Sequence, residues 1–101
     1  MSPAKWLSES QVVCNRLAVS LSHTTADAKV ESLLPWLMGS PVKIGGRKTA
    51  GGAVVLMVTV GDDILRRTRV VANRPDQSKI RRAAMVLVEK TIGEYCFSRS
   101  F

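Results

Sequence analysis

The chain has 101 residues, 46% of them apolar, and fifteen Lys and Arg against eight Asp and Glu, a formal net charge of +7. That length supports one domain with a single modest core, and the apolar share excludes a disordered basic tail. One histidine, His23, and two cysteines, Cys14 and Cys96, at opposite ends of the chain leave no metal-ligand spacing, no disulfide framework and no expected cofactor.

Charge is unevenly placed. Lys5, Arg16 and Lys29 balance Glu9, Asp27 and Glu31 in residues 1–40, so the whole excess belongs to residues 41–101. Such asymmetry is the footprint of a surface that neutralises phosphates and releases their counterions. No apolar run is long enough for a membrane helix, and Met1 to Ser8 lacks the form of a signal peptide. The expectation is an intracellular protein, cytoplasmic or nuclear, with both thiols reduced and no membrane partner.

In chain order, Ser8 followed by Gln11 fits a capping box, and Val13, Cys14, Leu17, Ala18 and Leu21 share one side of a helix ending near Ser22. That apolar stripe needs a partner, either the sheet or a second copy of itself, and a homodimer through this N-terminal helix is expected. A threonine of His23-Thr24-Thr25 caps a second helix over Ala26 to Leu34, with Val30, Leu33, Leu34 and Leu37 buried. Pro35 either kinks it or begins a new turn, and Trp36 between Leu34 and Leu37 belongs to the core.

Pro41 to Ile44 is a short strand, and Gly45 to Gly52 a flexible loop bearing Arg47 and Lys48 at its tip. Ala53 to Val60 and Ile64 to Ala72 alternate as a hairpin about Gly61-Asp62-Asp63, where short polar residues suit a turn and not a metal site. On the return strand, Ile64, Arg66, Thr68, Val70 and Ala72 form the more apolar set and are expected against the helices. Arg67 and Arg69 then project outward together. The last helix starts near Pro75 or Asp76, buries Ile80, Ala83, Ala84, Leu87, Val88, Thr91, Ile92 and Tyr95, and ends or loosens at Gly93. Phe97 and Phe101 are a dimer contact or a disordered tail.

The fold class is therefore α+β in a single domain, 1–101. N-terminal helices precede a three-stranded antiparallel sheet, and a C-terminal helix packs on one face. Residues 1–24 form the dimerising helix and 25–96 an α-β-β-β-α core. Arg66, Arg67, Arg69, Arg74, Lys79, Arg81 and Arg82 fall within seventeen residues, interleaved with residues that need burial. A folded basic surface of this kind is a docking face for a polyanion.

Val58-Thr59-Val60-Gly61 and Ser78-Lys79-Ile80-Arg81-Arg82-Ala83-Ala84, within residues 26–95, resemble the double-stranded RNA-binding domain family. The resemblance implies that Lys79, Arg81 and Arg82 contact phosphates across a groove and that Arg47 and Lys48 act from a loop. A glycine-rich basic loop stands where that family carries Gly-Pro-x-His. The same element order is similar to the Alu-binding subunits of the signal recognition particle, whose RNA contact through the sheet would promote Arg66, Arg67 and Arg69. The expected function is a non-catalytic binder of double-stranded RNA, of the kind by which viruses sequester duplex RNA. The alternatives are a self-assembling nucleocapsid or coat-type protein and a subunit of a larger ribonucleoprotein.

Overall fold

The structure is a computed structural model. It describes the backbone of residues 3–24, 29–37, 40–61 and 65–99, and the side chains of 8–24, 29–34, 42–61 and 65–95. The elements are α1 (Pro3–His23), β1 (Lys29–Leu37), β2 (Ser40–Lys48), β3 (Val54–Val60), β4 (Leu65–Val71) and α2 (Gln77–Arg99). The four strands form an antiparallel meander in the order β1-β2-β3-β4. Both helices pack on the same face, giving an α+β fold with one more strand and one fewer helix than the sequence pattern predicts.

The difference lies at residues 29–37. Val30, Leu33 and Leu34 suit a helix by spacing, yet the chain runs there as a strand paired with β2 from Lys29↔Arg47 to Leu34↔Val42. Alternate residues then face inward, so Leu34 is buried while Leu33 is 65% exposed. Pro35 sits where the β1–β2 register shifts, between Leu34 and Leu37, on an edge strand. An edge and a bulge are the two places where a missing ladder donor is tolerated. The side chains of Pro35, Trp36 and Leu37, like those of Cys96 and Phe97, lie outside the described residues, as do Asp62, Asp63 and Phe101.

β2 runs four residues further than expected and takes Gly45 to Lys48 from the predicted loop. Gly46 explains the extension. A Cβ built there would stand 2.7 Å from Leu21 Cδ1 and 3.2 Å from Leu56 Cδ2, so only glycine lets α1 settle on the sheet at this point. The β2–β3 connection shrinks to Thr49–Ala53. Gly52 adopts φ +89° within it, and its N–H donates to the Thr49 carbonyl at 3.0 Å.

The core is a two-layer sandwich of helices on sheet. Val42, Ile44, Val54, Leu56, Val58 and Val60 point from the sheet at Cys14, Leu17, Ala18 and Leu21 of α1 and at Ile80, Ala84, Leu87 and Val88 of α2. Each large apolar side chain removed from water contributes about 1.5–3 kcal/mol before entropy is counted. The apolar stripe of α1 is thus spent inside one molecule, which removes the basis for a homodimer through it. Helix α1 also begins at Pro3, so Ser8 lies inside the helix and does not cap it. Helix α2 continues through Gly93 to Arg99. Asp76 caps it: Oδ1 accepts the Lys79 N–H at 2.8 Å.

Candidate nucleic-acid interface

The register between β3 and β4 sets where the arginines go. Leu56 pairs with Arg69, Val58 with Arg67 and Val60 with Leu65. Directly opposed residues share a face, and Leu56, Val58 and Val60 are buried beneath the helices. Arg67 and Arg69 therefore lie on the helix side, and Arg66, Thr68 and Val70 on the open side, the reverse of the sequence expectation. The apolar count misleads because β4 is an edge strand that α2 covers only in part. Long arginine stems can cross the apolar margin there and keep their heads in water.

The two inward arginines meet different surroundings. Arg67 makes a two-pronged pair with Glu94 of α2: Nε donates to Oε2 at 2.8 Å and Nη2 donates to Oε1. The guanidinium fork is thereby used internally. Arg69 instead lines a groove of about 280 Å³ with Lys79 and Arg82 of α2, over a floor of Val71, Ala83 and Val86. Lys79 and Arg82 are three residues apart, hence neighbours on one helix face. Among the described residues no carboxylate lines this groove.

Arg82 also borders a second groove with Arg81, Gln11 and Met85, between the two helices. The basic surface thus runs from the edge strand across the start of α2 toward α1. Arg74 joins the same end of the molecule. Asn73 and Arg74 both adopt positive φ, 64° and 49°, ahead of Pro75. The Arg74 side chain lies over Gly52, where a Cβ would stand 2.6 Å from Arg74 Cγ. This ties the loop before α2 to the β2–β3 turn.

The remaining predicted site residues separate. Arg47 is exposed on the open face of the sheet, directly between Lys29 and Val55. Lys48 is half-buried on the helix side, and its Nζ donates to the Ser22 carbonyl at 3.5 Å. A cation at a helix C-terminus satisfies an orphan carbonyl, so Lys48 is structural and does not sit at a loop tip. Arg66 is exposed on the open face beside Thr59. Lys29 and Lys43, absent from the sequence-based set, stand on that open face too. The alternation of Lys29, Glu31 and Leu33 is the signal that would have placed them.

Other chemistry is sparse. Among the described residues no three His, Cys, Asp or Glu side chains come together as a metal site, and no helix is long and apolar enough to cross a membrane. Cys14 is fully buried, and burial pushes its thiol from 9.0 up to about 11. A thiol so held is a poor nucleophile. Comparison of the chain with protein-family models, with curated proteins and with solved structures finds no match.

Proposed function

We propose that the chain is a non-catalytic RNA-binding protein that holds double-stranded RNA through the groove between β4 and the first turns of α2. The observation that carries this reading is the meeting of Arg69, Lys79 and Arg82, from two elements, in one groove with no carboxylate among the described residues. Three cations drawn together without internal neutralisation repel one another, and a polyanion relieves that repulsion. The groove floor is apolar and small, so it offers no group that would read a base edge. Contacts of this type fix position on phosphates without selecting sequence.

The resemblance of Ser78 to Ala84 to the double-stranded RNA-binding domain family favours RNA over DNA and gives Lys79 and Arg82, with Arg81, a phosphate role. Asp76 occupies the α2 N-terminus as its cap, so the side chains, and not the helix amides, make the contacts. A binder that recognises duplex shape suits the sequestering of duplex RNA.

The test compares duplex RNA, duplex DNA and single strands at two salt concentrations, with wild type and K79E/R82E. Expected is preference for A-form duplex, and a log-affinity against log-salt slope of about 0.9 per phosphate contacted that is smaller in the variant. Equal binding of the three ligands, or an unchanged slope in K79E/R82E, would overturn the reading.

A further inference from the structure

The sheet has a second surface, facing away from both helices and from the basic groove. Register places three rows on it: Lys29–Arg47–Val55–Val70, Glu31–Gly45–Met57–Thr68 and Leu33–Lys43–Thr59–Arg66. The solvated face of an antiparallel sheet is ordinarily polar. Here Val55 and Met57 occupy its centre, while Leu33 and Val70 are 65% and 62% exposed at its two edges. Gly45 next to Met57 leaves the floor concave, a hollow of about 220 Å³ whose walls include Lys29, Glu31, Arg47 and Thr68. Around that floor stand Lys29, Lys43, Arg47 and Arg66 against Glu31, the single carboxylate there among the described residues. Among the described residues no ion pair engages Lys29, Lys43 or Arg47.

We propose that this open face docks an acidic amphipathic helix of a partner protein. The helix would lay its apolar stripe on Val55 and Met57 and set carboxylates against Lys43 and Arg47. Size selects this occupant. Four strands at about 4.8 Å spacing and five residues at about 3.3 Å rise give roughly 14 by 13 Å, the width and about two and a half turns of one helix. A second copy would bring the same positive face against this one. Single-stranded RNA stacks its bases on aromatic rings, and the described open face carries none. A flat anionic bilayer fits a hollow poorly.

The experiment titrates the isotope-labelled full chain with a synthetic helical peptide of about fourteen residues, leucine on one face and glutamate flanking it. A control peptide carries lysine in place of glutamate. Expected are amide shift changes centred on Val55, Met57, Thr68 and Val70, and a dissociation constant raised about tenfold in K43E/R47E, with a similar loss in V70E. K79E/R82E, which tests the RNA groove, leaves peptide binding unchanged, so the two readings fail separately. Circular dichroism checks that each variant is folded; all five substituted positions are exposed, and V70E repeats the test without touching a cation. The proposal is overturned if the lysine peptide binds equally or if the shifts map to the helix side. It is overturned equally if neither peptide binds, or if single-stranded RNA, anionic vesicles or self-association perturbs the open face instead.

Discussion

Arg67 and Arg69 sit two residues apart on one strand and one face, yet their replacement by alanine is expected to have opposite consequences. Arg69 faces the groove with Lys79 and Arg82, so R69A removes one phosphate contact. At about 0.9 log unit per contact for each decade of salt below 1 M, the loss in 0.1 M salt is about eightfold, and the log–log slope falls by about 0.9. Arg67 is held by Glu94, with the two side chains 39% and 36% exposed. R67A should leave affinity within about twofold and cost no more than about 1 kcal/mol of stability, the range of partly exposed ion pairs. Fluorescence anisotropy with a labelled RNA duplex at several salt concentrations, paired with urea melts, reads both quantities. If R67A weakens binding as much as R69A, with the same change of slope, the division of the two arginines between structure and ligand is wrong.

Two glycine-to-alanine changes should move stability in opposite directions. G46A presses a methyl onto Leu21 and Leu56, both fully buried, and urea melts should show a loss of about 1–3 kcal/mol. G93A meets nothing within 4 Å in the interior of α2 and should gain about 0.5–1 kcal/mol, read the same way. D76A deletes the carboxylate oxygen that accepts the Lys79 N–H and should cost about 0.5–2 kcal/mol in thermal or urea unfolding. Cys14, with its thiol raised from 9.0 to about 11 by burial, should resist a thiol reagent at neutral pH in a C96S background until the protein is unfolded. Because the folded state holds the proton longer than the unfolded one, the thiol's contribution is full below pH 9 and declines as pH rises from 9 toward 11. The stability difference between wild type and C14A should therefore shift against wild type over that window, and a flat difference would refute the account.

Helix α2, the core face of α1 and the β3–β4 hairpin were legible because their apolar residues repeat at the helical or strand period over many residues. β1 was not. Val30, Leu33, Leu34 and Leu37 satisfy a helical stripe, and the strand reading wins only once β2 offers a ladder and Leu33 is left in water. The second half of β2 was hidden by its glycines, which read as a loop until Leu21 is seen to need the space over Gly46. The facing of β4 depends on its register against β3, and a shift of one residue reverses every side chain. Lys79, Arg82 and Arg69 could be named from charge alone. That Arg67 and Lys48 are used internally could not, because Glu94 and the Ser22 carbonyl lie 27 and 26 residues away in the chain.

The meander gathers at one end of the molecule cations that are dispersed in sequence. Lys29, Arg47 and Lys48 stand on the last paired rows of β1 and β2, beside the β2–β3 turn. Arg74 lies on that turn, and Arg69 and Lys79 share the adjacent groove. The helix ends nearby add little net field, since Lys48 reaches the Ser22 carbonyl of α1 while Asp76 caps α2, so each terminus carries its own compensating charge. What remains is side-chain repulsion confined to one pole, with Glu31 and Asp76 as the acids on hand among the described residues. Added salt should then act with opposite sign on two equilibria. Screening eases the repulsion and favours the folded chain, while counterion competition weakens its hold on a polyanion. A folded protein whose stability fell with salt in parallel with its RNA affinity would contradict a pole of unneutralised cations, whatever ligand it serves.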